Sequence, residues 1–355
     1  MNKWEDNIRK VVPYVAGEQP IGTDIIKLNT NENPYPPAPG VEKLSREIDS
    51  SRFSLYPDAD AVALVDALTA YHGLQPGQLF VGVGSDDVLA LAFLTFFNSK
   101  KPILFPDITY SFYPVWSDVY QIPYETIPVD ADFKVNPADY ARENGGVVIA
   151  NPNAPTSIAM GLDQVETIIQ ENPDVIVIID EAYVDFGGET ALPLLDKYEN
   201  LLVVRTYSKS RSMAGMRIGY AMANTRLIQA MKDVKESINS YTMNMASIIL
   251  GAESVKDDEY FKNRIAQVVA TRERVKEALT QMDFDVKDSA TNFLFAGHSN
   301  IPAKYIFEQL RQKKIFVRYF DKPRINNYLR ITIGTDKQMD TVLKAIDECI
   351  KNYEN

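Results

Sequence analysis

Three short runs constrain this chain more than anything else in it. GVVIANP (146–152), VIVIIDEAY (175–183) and LLVVRTYS (201–208) each hold an unbroken aliphatic stretch that gives way to polar residues. A strand with one wet face alternates apolar and polar side chains, so a run without alternation is apolar on both faces. Such strands belong inside a mainly parallel sheet covered by helices. KPILFP (101–106) and RIGYAMA (217–223) read as further strands. ADAVALVDALTAY (59–71) has the spacing of an amphipathic helix, and LFVGVGSDDVLALAFLTFF (79–97) runs strand, glycine turn, buried helix. The expected fold class is α/β, with a three-layer α/β/α large domain over residues 41–245.

The flanks read differently. NTNENPYPPAPG (29–40) is too rich in proline for a helix and predicts an extended loop, so residues 1–40 form an N-terminal segment expected to pack with the small domain and over the active site. After a helical stretch from about 227 to 279, the runs at 293–297, 315–320 and 328–334 look like strands of a smaller α+β domain, 246–355, closed by a helix over 337–353.

Composition matters mainly for what it excludes. The 355 residues suffice for two domains, and 45% hydrophobic with 24% charged residues is ordinary for a globular chain. A net charge of −11 repels phosphate backbones, so nucleic acid is not an expected partner, and anionic substrates would need local basic pockets. The apolar stretch 88–97 is too short to span a bilayer, and the opening MNKWEDNIRK has no apolar core of a secretory signal, so no membrane association is expected. The single cysteine, Cys349, fits a reducing, cytoplasmic setting. The two histidines, His72 and His298, sit in no metal-binding or triad pattern.

In open α/β sheets, ligands bind beyond the carboxyl ends of the strands. Four strand ends here offer Gly84-Ser85-Asp86, Asn151-Pro152-Asn153, Asp180-Glu181-Ala182-Tyr183 and Tyr207-Ser208-Lys209. Together they supply anion-binding amides, hydrogen-bond donors, a carboxylate, a phenol and an amine. A phosphorylated pyridine aldehyde requires that set. The GVGS turn alone also fits a nucleotide-binding loop, but it lacks the third glycine and the acidic strand end of that motif.

SKSRSMAGMRIG (208–219) resembles the Schiff-base lysine segment of the fold-type I pyridoxal enzymes. NPNAPTS (151–157) is similar to their Asn-Pro-x-x-Pro-Thr-Gly turn, and DEAY (180–183) to their Asp-x-x-Tyr strand end. LNTNENPYPP near the start and LRITIGT near the end narrow the resemblance to the histidinol-phosphate aminotransferases, and it spans almost the whole chain.

The resemblance implies pyridoxal 5'-phosphate as cofactor, carried by Lys209, which would also serve as general acid and base. It implies that Asp180 pairs with the pyridine nitrogen and Tyr183 donates to the ring 3'-oxygen. The family's second donor to that oxygen is an asparagine, but the matching position here is Ala154, and the final glycine of the turn is Ser157. Either Asn153 supplies the amide from one residue earlier, or Tyr183 acts alone. Ser85, Asp86, Thr206, Ser208 and Arg217 match the phosphate site, and Tyr110 the residue that stacks on the ring. Tyr56 resembles a residue that reaches into a neighbouring subunit's site, which implies a homodimer. Arg330, with Arg318 as a second candidate, resembles the substrate-anion arginine; Tyr14 and Asn31 either close over the substrate or are ordinary loop residues.

The implied reaction is a ping-pong exchange. L-Glutamate leaves as 2-oxoglutarate, and its amino group passes to imidazole acetol phosphate to give histidinol phosphate, in histidine biosynthesis. An aromatic-amino-acid aminotransferase or a phosphothreonine decarboxylase would share the same cofactor motifs. A non-catalytic binding module should lack the lysine or the aspartate, and both are present.

Overall fold

The computed structural model describes residues 3–354. A short strand, β1 (Ile26–Lys27), is followed by α1 (Pro39–Glu47) and α2 (Val62–His72). Then comes an alternation: β2 (Leu79–Gly82), α3 (Ser85–Phe96), β3 (Ile103–Pro106), α4 (Phe112–Tyr120), β4 (Tyr124–Ile127), β5 (Gly146–Ala150), α5 (Leu162–Gln170), β6 (Val177–Asp180), β7 (Leu201–Thr206) and β8 (Gly219–Ala223). Strands β2 to β8 form one seven-stranded sheet in the order β2-β8-β7-β6-β5-β3-β4. Strands β3 to β7 pair in parallel, and β8 runs antiparallel to both of its neighbours.

The unbroken apolar runs explain this sheet. In β5, β6 and β7 the odd positions Val147, Ile149, Val177, Ile179, Leu201 and Val203 enter one core. The even positions Val148, Ile178, Leu202 and Val204 enter the other. Both cores are closed by helices, α2 and α5 on one face, α3, α4 and α6 (Thr225–Ile238) on the other. Each strand therefore needs apolar side chains on both faces until its carboxyl end, where Asp180, Arg205 and Thr206 take over.

The chain continues through α7 (Met245–Ser254) and α8 (Asp258–Thr280) into β9 (Phe284–Val286), β10 (Phe293–His298), α9 (Ala303–Gln312), β11 (Ile315–Phe316), β12 (Arg318–Tyr319), β13 (Leu329–Thr332) and α10 (Asp336–Glu354). Strands β9, β10, β12 and β13 make an antiparallel sheet, order β12-β13-β10-β9. Helices α8, α9 and α10 contribute to its core, which includes Val268, Leu310 and Val342. Helix α7 differs from expectation. Its Ile248 and Leu250 lie in the core that holds Leu64 of α2, so the chain changes cores between Val255 and Val268 rather than near 245. The N-terminal segment divides too: β1 pairs with β11 and Leu28 enters the small core, whereas Ala38 and Val41 enter the large one.

Among the described residues, no helix is long and apolar enough to cross a membrane.

Candidate active site

The carboxyl ends of β5, β6 and β7 open into a cleft of about 410 Å³. Its far side is built from the N-terminal segment and from the small-sheet residues Arg318, Phe320 and Arg330. Of the residues singled out in the sequence, Tyr14, Asn31, Ser85, Asp86, Tyr110, Asp180, Tyr183, Thr206, Ser208, Lys209, Arg217, Arg318 and Arg330 all line it; Asn153 and Tyr56 do not.

Asp180 ends β6 on the face toward α4 and is buried. Its Oδ2 accepts from the Tyr113 hydroxyl (2.9 Å) and its Oδ1 from the Ala182 amide (3.2 Å). Burial pushes the carboxyl up to about 6, against these two hydrogen bonds and with the charges of Asp86 and Glu181 adding to the rise. A carboxylate so placed gains most from a cationic partner in the cleft. Tyr183 accepts at its hydroxyl from the Asn31 amide (2.8 Å). Asn31 has a left-handed backbone (φ 58°), and the Thr332 hydroxyl and the Asn292 amide fix it from the small sheet.

The glycine turn between β2 and α3 meets the start of β8. A methyl group at Gly219 would lie 2.2 Å from the Gly84 carbonyl carbon, and one at Gly84 would lie 2.4 Å from the Arg217 guanidinium. Backbone excludes a side chain at Gly219, and at Gly84 the left-handed φ of 85° disfavours one, which lets the guanidinium lie on the turn that begins α3. Arg217 pairs with Asp86 (3.2 Å) and faces the Ser208 hydroxyl (3.5 Å). The Thr206 hydroxyl donates to Ser208 Oγ (2.9 Å). The result is an anion cradle: a helix start, two hydroxyls and a guanidinium. The Tyr110 hydroxyl donates to Asp86 (2.7 Å), and burial followed by the Asp86 charge pushes that phenol well above its ordinary range.

Lys209 Nζ donates to the Thr30 carbonyl (3.2 Å) and lies 5.8 Å from the Tyr183 ring centre. Across the cleft, Arg330 is partly buried between the Phe293 and Phe320 rings (5.3 and 5.6 Å) and donates to the Asn29 carbonyl (2.9 Å), while its buried Nε has no partner. Burial holds this guanidinium below its ordinary range, and the Arg318 charge adds to the effect. Among the described residues, no carboxylate pairs with Arg318 or Arg330; Arg318 reaches only the Val15 carbonyl (3.5 Å) and the Phe320 ring. Two neighbouring arginines without a counter-charge, one with a buried orphan N–H, are suited to an anionic ligand. Tyr14 stacks on Phe112 (4.1 Å) at the rim.

The donor set fits a phosphorylated pyridine aldehyde: an amine, a buried carboxylate, a phenol and an anion cradle share one cleft. Asn153, one of the two alternatives for the second donor, does not line the cleft. Its amide donates to the Ile108 carbonyl and to Thr156 Oγ1 (both 2.9 Å), and its carbonyl accepts from Thr109 (2.8 Å). Both ends of the side chain thus brace the turn, and Ala154 faces the cleft in its place. Tyr56 lies 82% exposed against Tyr241, outside this cleft. Sequence reasoning missed Tyr113, Thr30 and Glu32. The first had a signal, two tyrosines three apart at a helix start; the others lie in the quoted NTNENP run, next to Asn31.

An α/β sheet with a lysine-bearing turn and an anion cradle at its carboxyl edge defines the class. Residues 23–346 match the model of the aminotransferase class I and II family, and the chain belongs to that family. More particularly, it is 50% identical over 351 residues to the histidinol-phosphate aminotransferase of Lactococcus lactis subsp. cremoris (strain MG1363), covering 99% of each chain. It is 48% identical to that of Clostridium acetobutylicum, covering 98% of this chain and 99% of the relative. The crystal structure of histidinol-phosphate aminotransferase from Sinorhizobium meliloti in complex with pyridoxal-5'-phosphate superposes with a TM-score of 0.85, covering 93% of this chain and 92% of that one; at 24% identity it speaks to the fold alone.

Proposed function

We propose that this enzyme holds pyridoxal 5'-phosphate on Lys209 and exchanges an amino group between L-glutamate and imidazole acetol phosphate, giving 2-oxoglutarate and histidinol phosphate. One observation carries the reading: a cleft with the lysine and a buried carboxylate on one side, and two arginines without counter-ions on the other. The identity to relatives named for this reaction supports the choice of substrate.

When bound, the cofactor supplies the electron sink that makes the substrate Cα–H bond acidic. The chain's residues do the rest. Asp180 would pair with the pyridine nitrogen and favour its protonated form, a cationic partner that the buried carboxylate lacks otherwise. Tyr183 donates to the ring oxygen, with Asn31 behind it. Tyr110 covers one ring face. Arg217, Ser208, Thr206 and the amides at Ser85 and Asp86 hold the phosphate. Lys209 would hold the cofactor and, once released by the substrate, would act as general base and acid for the substrate Cα proton. Arg330 clamps the substrate carboxylate or phosphate with Arg318 beside it, and Tyr14 and Asn31 close the cleft. The enzyme works as a cytoplasmic homodimer in which Tyr56 enters the neighbouring site and binds the cofactor phosphate.

The test is a comparison of kcat/KM for histidinol phosphate, phenylalanine, tyrosine and phosphothreonine, each with 2-oxoglutarate as acceptor where transfer is measured. Histidinol phosphate should lead. A large preference for the aromatic amino acids, or carbon dioxide release from phosphothreonine, would sink the assignment. A yellow parent protein and a Lys209→Ala variant without that colour are expected.

A further inference from the structure

Glu181 and Arg205 are buried next to the site, yet neither lines the cleft. Glu181 follows Asp180, and Arg205 precedes Thr206. Arg205 Nε and Nη2 both reach Glu181 Oε2 (2.9 and 2.8 Å), and the Thr190 hydroxyl and Ala191 amide complete the carboxylate's partners (2.9 and 2.6 Å). The other guanidinium nitrogen, Nη1, pairs with Asp185 Oδ1 (3.6 Å). Asp185 Oδ2 accepts a 2.5 Å hydrogen bond from the hydroxyl of Ser210, the residue after Lys209. From the opposite side, the Asn33 amide donates to the Lys209 and Ser210 carbonyls (3.2 and 3.3 Å). The turn that these contacts hold contains Ser212 with a left-handed backbone (φ 58°), a conformation that persists in a serine only under restraint.

We infer that Asp185 and Ser210 are positioning residues, which tie the main chain beneath Lys209 to the strand end that carries Asp180. The chain of contacts runs Asp180–Glu181, Arg205, Asp185, Ser210, Lys209, so both ends of the chemistry share one frame. With the backbone fixed, only the lysine side chain moves between its attachment and its proton-transfer position. A reaction of this kind is sensitive to displacements well below an ångström. The inference rests on the reading of Lys209 as the cofactor-bearing residue.

The experiment uses cofactor-loaded parent, Ser210→Ala, Asp185→Ala and the double variant. The glutamate half-reaction is followed in single turnovers with L-glutamate and with L-glutamate deuterated at Cα. Each single variant should keep its visible absorbance and its KM, lose about 10-fold in the maximal rate, and show a larger deuterium effect, because proton transfer has become slower. The double variant should lose no more than the worse single one, since both remove the same bond. A lower Tm with unchanged rate and isotope effect would make the contact merely structural and overturn the inference. Losses that multiply in the double variant would also overturn it. If Lys209→Ala keeps the colour of the parent, the cofactor reading itself fails, and the inference with it.

Discussion

Asp180 is a carboxylate kept in the core with a phenol and one amide as partners, and the protein is less stable for it. Its carboxyl sits at about 6, because burial disfavours the charged form, whereas an unfolded aspartate ionises near 4. Between those values the folded chain holds a proton that the unfolded chain has released. Stability on this account is greatest below pH ~4, falls as pH rises through the window, and stays lower by about 3 kcal/mol above pH ~6. Asp180→Asn should therefore raise the Tm of cofactor-free protein at neutral pH and flatten its decline between pH ~4 and ~6, while abolishing transamination. Equal Tm profiles for parent and variant would refute the burial cost. Arg330 poses the opposite problem, a half-buried cation with an unpartnered Nε and no anion beside it. Arg330→Lys keeps charge but loses the two-pronged geometry, and should raise KM for L-glutamate by roughly 10- to 100-fold, about 1.5–3 kcal/mol, with the cofactor absorbance unchanged. Both residues were legible in the sequence, as polar groups at or within strongly apolar runs. The partners were not. Tyr113 reaches Asp180, and Asn31 reaches Tyr183, from segments whose approach only the folded chain defines. Of the two alternatives the sequence left open, the fold turns the amide of Asn153 to bracing its own turn, and the methyl group of Ala154 lines the cleft.

Elements were legible where both faces of a strand are apolar, as in β5, β6 and β7, because no other placement buries such a run. The pattern fades where burial does. Strand β4 (YETI) is an edge strand with three exposed residues, and nothing in its composition marks it. The run 315–320 reads as one strand but divides between two sheets: Ile315 and Phe316 pair with β1, and Arg318 and Tyr319 with β13. The deciding partner, β1, lies at the other end of the sequence. The loop between β12 and β13 shows what such an arrangement supports. It begins with Phe320 at the cleft and is fastened by Arg324, which donates to Asp107 (3.0 Å) and to the carbonyls of Val129 and Asp130 (2.8 and 2.6 Å). This joins the substrate-side loop to the large sheet, beside the aromatic contacts of Phe133 with Phe295 and Tyr328. Arg324→Ala should cost about 1–2 kcal/mol of that docking, seen as a several-fold higher KM for both substrates with cofactor affinity unchanged. A loss confined to kcat would place the role of the loop elsewhere.

At the scale of the whole molecule, charge and surface point to the assembly. The chain carries −11, yet its cleft gathers Lys209, Arg217, Arg318 and Arg330 against Glu32, Asp86 and Asp180. An anionic ligand is thus held by a local field that opposes the global one. Near Tyr56 the surface is apolar: Phe53, Leu55 and Tyr56 are 63, 69 and 82% exposed, with Ile238 and Tyr241 also exposed. A patch of this kind is expected to be covered, and the proposed homodimer covers it by placing Tyr56 in the partner's site. The arrangement has a specific consequence. Lys209→Ala destroys every site in its own dimers, and Tyr56→Ala weakens cofactor binding in every site of its own. A mixed dimer contains one site with Lys209 from one chain and Tyr56 from the other, both intact. Equal amounts of the two variants, unfolded and refolded together with cofactor, should then recover about one quarter of the parent activity, because half of the dimers are mixed and each has one whole site. If Tyr56 served its own chain instead, mixing would leave activity at the average of the two separate variants, at every ratio.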